Sequence, residues 1–180
     1  AYSNDNYIVS RYNSDNSFNP SHCSSDDEHK GYRIIALKDF GDVKAGDKGG
    51  YISGEHNLSH DGECWVYEKG RALYKGRVQD NAKVKSGIVC DHGRAKDNAL
   101  ITGGSMILGK GLAYDNAILQ KNSIISGSGQ VGNNVILDYY SLVSGNAKFT
   151  QNGMVLKRDS IVHSKEELEA IEKEKQCCSS

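Results

Sequence analysis

The sequence predicts an all-β chain, a parallel β-helix with a triangular cross-section followed by a short C-terminal helix. Three observations lead there. Apolar or small residues recur every six positions, through Val66, Ala72, Val78, Val84, Val89, Ala95 and Ile101 and on to Val143, Phe149, Val155 and Ile161, with one five-residue step between Val84 and Val89. Two positions before nearly every beat stands Gly, Ala or Ser. One position earlier again, from Asn81 onward, half of the residues are Asn. An amphipathic helix does not repeat every six residues, and an ordinary strand does not keep phase over such a length, whereas stacked hexapeptide coils do both.

Each hexad reads as a short strand and a corner. Strand side chains alternate, so the beat and the residue two before it point inward and the one between points out. Small residues suit the tight inner corner. The Asn-rich slot is expected to turn the corner with positive φ, which Asn and Gly tolerate best. Three hexads close one coil, which gives between five and six coils and a prism roughly 25 Å long at the spacing of neighbouring strands.

The chain then divides in order. Residues 1–31 form a polar arm, rich in Ser, Asn and Asp and holding the only proline, Pro20; a loosely docked segment is expected. Residues 32–65 supply a strand at 32–37, a turn-rich stretch and an atypical first coil that caps the open end of the core. Residues 66–161 are the repeat. Residues 162–180 open with a capping box, Ser164 and Glu167, and continue as a helix to about Lys175 that sets Leu168 and Ile171 against the last coil.

Composition narrows the function classes. A formal net charge of −1 over 180 residues argues against a general electrostatic grip on nucleic acid or an anionic membrane. No stretch approaches the ~20 apolar residues of a membrane span, and the opening AYSNDNYIVSRYNSDNSF lacks a basic-then-apolar leader layout. Five cysteines form no paired framework. They are expected to be reduced thiols in a cytosolic protein.

The block GDVKAGDKGGYI, then NLSHDGECWVY, then repeats such as DNAKV and GNAKF, resembles a family of phage- and prophage-encoded hexapeptide-repeat proteins, mostly uncharacterised and sometimes labelled transferase-like from fold alone. The resemblance spans about residues 32–161. It implies a left-handed β-helix and a mobile-element origin, and it supplies no catalytic residue.

Candidate chemistry is sparse. Hexapeptide-repeat enzymes of the acyltransferase kind place a catalytic His between neighbouring prisms, and His92, at a corner beside the phase break, is the one histidine to test in that role. His56, His60 and Cys64 are spaced four apart, but the Gly, Asn and Ser between them oppose the helix that would align them on a metal. GSGQVG at 127–132 lies inside the repeat with no helix after it, so it reads as coil geometry. No cofactor and no metal are expected.

The outward positions are more informative. One face reads Trp65, Lys83, Leu100, Ile118, Ile136, Met154; the next Arg71, Ile88, Met106, Ile124, Leu142, Ser160; the third Arg77, Arg94, Leu112, Gln130, Lys148. Two adjacent faces are apolar outside as well as inside, and the third holds the cations Arg77, Arg94 and Lys148. Apolar ridges of this extent call for a cover. The expected cover is a second copy, making a trimer or a dimer, with Leu100, Ile118, Ile136, Met154, Met106, Ile124 and Leu142 as its interface or as the seat of a protein partner. The expected function is a non-enzymatic binding protein of phage or prophage origin that engages a host or phage macromolecule, with inhibition of a bacterial defence complex as a special case. An acyltransferase-like enzyme and a phage virion structural protein are the alternatives. The basic face could meet an acidic protein or a nucleic-acid backbone, but three cations are weak grounds for either and more often form a solvated face.

Overall fold

The computed structural model describes residues 7–10, 32–157 and 160–177. It is a parallel β-solenoid of stacked three-sided coils, and it fits the left-handed β-helix class. Face one stacks Val66, Val84, Ile101, Leu119 and Leu137 as inward rungs. Face two stacks Ala72, Val89, Ile107, Ile125 and Val143, and face three Val78, Ala95, Ala113, Val131 and Phe149. Every one of these side chains is fully buried. Partners in neighbouring coils stand eighteen residues apart, as Ile101, Leu119 and Leu137 do. Faces one and two merge into one hydrogen-bonded sheet because the strands Trp65–Ala72 and Lys83–Val89 continue around the corner between them. The five-residue step falls inside the second of these strands. The coil has lost one corner residue there, and the pairing shifts between Val66 and Lys69.

The repeat contains a second irregularity that the hexad count overlooks. Ile136 pairs with Val155 and Leu137 with Leu156; Leu142 pairs with Ile161 and Val143 with Val162. The inward residues of the last coil are therefore Leu156 and Val162, not Val155 and Ile161. The extra residue is Gly153: Asn152 still aligns with Asn134, while Met154 already occupies the rung position of Val135. Gly153 has φ of 72° and open space around it, so the bulge forms without a clash.

Positive φ falls one residue earlier than the Asn-rich slot. Asp80, Asp91, Asp97, Asp115 and Asn133 carry φ between 53° and 57°. Asp tolerates this region because its short carboxylate satisfies nearby backbone. Here Oδ2 of Asp80, Asp97 and Asp115 each accepts the N–H of the equivalent residue one coil on, at 3.1 Å. The Asn slot has a different physical basis. Its side-chain amides form a ladder down one edge, Asn81 to Asn98, Asn116 and Asn134 at 3.1–3.3 Å, continuing to Asn152. Asn81, Asn98, Asn116 and Asn134 each donate to the next amide in the series, and Asn81 Oδ1 accepts the Glu63 N–H at the head of it.

The open end is closed by a three-stranded cap. β1 (Tyr7–Ser10) pairs antiparallel with β2 (Tyr32–Ala36), β2 antiparallel with β3 (Lys48–Ile52), and β3 parallel with β4 (Trp65–Ala72). Four residues of the polar arm thus form a sheet strand. Tyr7 is buried; its hydroxyl donates to the Leu58 carbonyl at 2.7 Å and its ring stacks on His60 at 4.2 Å. Below it, Asn57 is fully buried and fully used: Nδ2 donates to the Tyr74 and Gly76 carbonyls, and Oδ1 accepts from the Gly54 N–H. At the other end, α1 (Lys165–Cys177) is capped as its sequence predicts. Glu167 N–H donates to Ser164 Oγ and the Glu167 carboxylate accepts from the His163 N–H. Leu168 is buried against the last coil, and Ile171 packs beside it.

Candidate interaction faces

The register places the outward residues in ladders. On face one Leu100, Ile118 and Ile136 are direct Cα partners in successive coils, and the next rung is Val155. Met154 is drawn out of this ridge by the Gly153 bulge and packs against the core instead. Trp65, read as the first outward residue, is 2% exposed, covered edge-on by the rings of Tyr7 and Phe40. On face two Met106, Ile124, Leu142 and Ile161 are in register. Ile88 above them is nearly buried in a small cluster with Leu73 and Cys90. The interior ladder residues are half-buried, because each is flanked by the rung above and the rung below; Ile161, at the end, is 54% exposed. The result is a continuous apolar strip, not a set of protruding side chains.

The edge where faces one and two meet holds a feature that the beat analysis does not reveal. Successive coils turn it with two consecutive positive-φ residues: Gly103 and Gly104, then Lys121 and Asn122, then Tyr139 and Tyr140. Tyr139 and Tyr140 are 48% and 62% exposed, among the most exposed large apolar side chains described. Lys121 Nζ lies 4.2 Å from the Tyr139 ring centroid and 3.2 Å from the carboxylate of Asp138. Asp138 is largely buried and also accepts from Gln120 Nε2 at 3.2 Å. The sequence signal for this edge is an aromatic pair standing where earlier coils use Gly or Asn.

Face three keeps the predicted order. Arg77, Arg94, Leu112, Gln130 and Lys148 are Cα partners in turn, and Arg77, Arg94 and Lys148 are exposed. His92 is exposed at the corner between faces two and three, its backbone N–H donating to the Gly109 carbonyl. Among the described residues its ring has no hydrogen-bond partner, and no nucleophile or carboxylate of theirs orients it. Cys64 is buried with its thiol toward the Ser59 and Val78 carbonyls. Burial pushes its pKa up to about 12, so it is a neutral thiol at physiological pH. Cys90 is in a disulfide, which corrects the reading of reduced thiols at that position. Among the described residues no three His, Cys, Asp or Glu side chains gather around a common point, and no helix is long and apolar enough to cross a membrane.

The cap is tied to face one by one polar cluster. Asp42 Oδ1 accepts from Tyr67 Oη at 2.6 Å and from Lys83 Nζ at 2.7 Å. These bonds, Lys83's first, hold the Asp42 carboxyl down at about 2. Burial, reinforced by the Asp42 carboxylate, drives the Tyr67 phenol well above its usual range. Nearby, a polar depression of about 370 Å³ is lined by Glu63, Asn81, Lys83, Lys85, Asn98, Ala99 and Leu100.

Fold and faces together define a hexapeptide-repeat β-helix protein. No protein-family model matches the chain. It is similar to an Escherichia coli (strain K12) protein described as the uncharacterized acetyltransferase YdcK, with 44% identity over 46 residues. That stretch is 26% of this chain and 14% of the relative, so the chain matches only a small part of that protein's length.

Proposed function

We propose that the chain is a binding scaffold that works as an assembly of β-helices joined through faces one and two. The observation that carries this reading is the pair of in-register outward ladders, Leu100–Ile118–Ile136–Val155 and Met106–Ile124–Leu142–Ile161, meeting at the Tyr139–Tyr140 edge. Rung-on-rung apolar strips on two adjacent faces offer the flat complementary surface that another prism needs, and burying it is favourable by roughly 25 cal/mol per Å². The test is native mass by light scattering on the intact chain and on Ile118→Glu and Ile124→Glu. A trimer or dimer that both charges dissociate, with circular dichroism unchanged, supports the scaffold; an intact chain that is monomeric, or assemblies indifferent to both charges, overturns it. The resemblance of residues 32–161 to phage and prophage proteins supports a protein target in a bacterial host, with a defence complex as the special case. Capture of one stoichiometric, identified host or phage protein by the assembled form tests that step.

The second reading is an acyltransferase-like enzyme, favoured by the description of the relative. His92 would then act as general base toward an acyl acceptor in a cleft between prisms. It requires saturable coenzyme A binding, and acyl transfer that His92→Ala removes. Absence of both from the assembled protein counts against it.

A further inference from the structure

The corner beside face three adds cations that the outward rungs alone do not count. Gly76, Gly93 and Gly111 are equivalent residues of successive coils, each donating its N–H to the carbonyl three residues back, at 2.8–3.0 Å. The residues immediately before them, Lys75, His92 and Lys110, therefore form one column on that corner. The residues immediately after the first two, Arg77 and Arg94, are direct Cα partners on face three. All five side chains are exposed. With coils about 4.8 Å apart, they fall within three adjacent turns. None of the five has an ion pair or a side-chain hydrogen bond among the described residues. Two carboxylates belong to the same corner. Glu55 lies in the 3₁₀ turn whose His56 reaches the Tyr74 carbonyl, and Asp91 accepts the Gly109 N–H.

Like charges directly opposite each other in neighbouring rungs repel. In a chain whose formal charge is −1, this concentration is local and not a general property. A multiply charged anion lying across Arg77 and Arg94 would relieve the repulsion and take paired hydrogen bonds from both planar guanidinium groups. A lone carboxylate neutralises only one of the two, and the side chains of an acidic peptide meet one rung at a time. We propose that Arg77 and Arg94, with Lys75, His92 and Lys110 around them, form a binding site for a phosphate-bearing ligand. This inference does not depend on assembly through faces one and two.

The experiment is calorimetric titration of the full chain with pyrophosphate, with native mass and circular dichroism followed in parallel. Wild-type protein is expected to bind saturably. Arg77→Ala and Arg94→Ala should each weaken binding by about tenfold or more, the usual loss for a charge-assisted bond. Arg94→Lys should recover part of it, because an ammonium keeps the charge without the planar fork. Lys148→Ala, lower on the same face, should bind as wild type. Titration with a short single-stranded oligonucleotide distinguishes the source of the phosphate. Tighter binding of the oligonucleotide, with the same dependence on both arginines, assigns the site to a nucleic-acid backbone; tighter binding of pyrophosphate assigns it to a small phosphoryl compound. The proposal is overturned if wild-type protein takes up no pyrophosphate at millimolar concentration, or if Lys148→Ala weakens binding as much as the arginine variants do.

Discussion

Lys83 Nζ donates to Asp42 Oδ1 at 2.7 Å, joining the cap loop to the first full coil across 41 residues of chain. Asp42 is half-exposed and Lys83 less so, and a pair in that setting contributes no more than about 1 kcal/mol. Its pH dependence has a definite sign. The folded carboxyl titrates at about 2, below its unfolded value near ~3.9, so its contribution is complete above pH ~4 and disappears as pH falls toward 2. Asp42→Asn should lower the urea midpoint at pH 6, and its deficit should shrink as pH falls from ~4 through about 2. A deficit as large at pH 2 as at pH 6 would mean that packing, not charge, anchors the loop.

Gly50 faces the β4 backbone so closely that a Cβ there would stand 2.1 Å from the Gly70 carbonyl oxygen and 2.4 Å from that of Tyr67. Neither atom belongs to a side chain that can swing aside. Gly50→Ala is expected to lower unfolding free energy by about 3 kcal/mol, the upper end for overpacking. Gly54→Ala meets only the His56 ring, at 3.0 Å, and should be nearly silent in the same denaturation series.

Ser105, Ser123 and Ser141 form an inward column on face two, and their environments differ. Ser105 and Ser123 share a hydrogen bond at 3.2 Å, and Ser123 also reaches the Leu137 carbonyl, while Ser141 Oγ is buried with no partner. Removing an unsatisfied buried hydroxyl relieves a desolvation penalty of about 1 kcal/mol or more. Ser141→Ala should therefore raise the melting temperature and Ser123→Ala should lower it. A fall for Ser141→Ala would point to a partner for its hydroxyl in solution.

Tyr140 sits at φ of 54° directly after Tyr139 at 44°. A bulky side chain in this region costs about 1–2 kcal/mol, and the Tyr140 ring recovers little of that by burial. Tyr140→Gly should raise stability by up to about 1 kcal/mol in denaturant unfolding, after the entropy that glycine adds to the unfolded chain. If this edge belongs to the assembly interface, the same variant loses native mass while gaining protomer stability. A protomer that becomes less stable would refute the strain.

How much could be read from the chain depends on how local the cause was. Hydrophobic alternation within each hexad fixes which residues turn inward, so the rungs from Val66 to Phe149 follow from residue type alone. The same logic fails after Phe149 for a physical reason. Val155–Leu156 and Ile161–Val162 are adjacent apolar pairs, either member of which can fill the core, and hydrophobicity does not choose between them. The choice comes from pairing with the coil above, where the Asn134–Asn152 amide bond holds the edge and Gly153 absorbs the extra residue.

The two capping regions divide in the same way. The Ser164–Glu167 box and the Leu168 contact were legible, because a helix start is decided by side chains within one turn of each other. The burial of Trp65 was not. Its place in the hexad is outward, and the folding back of the cap, which sets the rings of Tyr7 and Phe40 against it, removes it from water. The joining of Lys75, His92 and Lys110 to Arg77 and Arg94 is of the same kind. By itself the sequence determined the repeat, the three faces and their core, since those rest on a periodic pattern that each coil repeats to its neighbours. Only the tertiary structure decided the register of the last coil, the closure over Trp65, the aromatic edge and the basic corner, because each depends on contacts between coils that lie far apart in sequence.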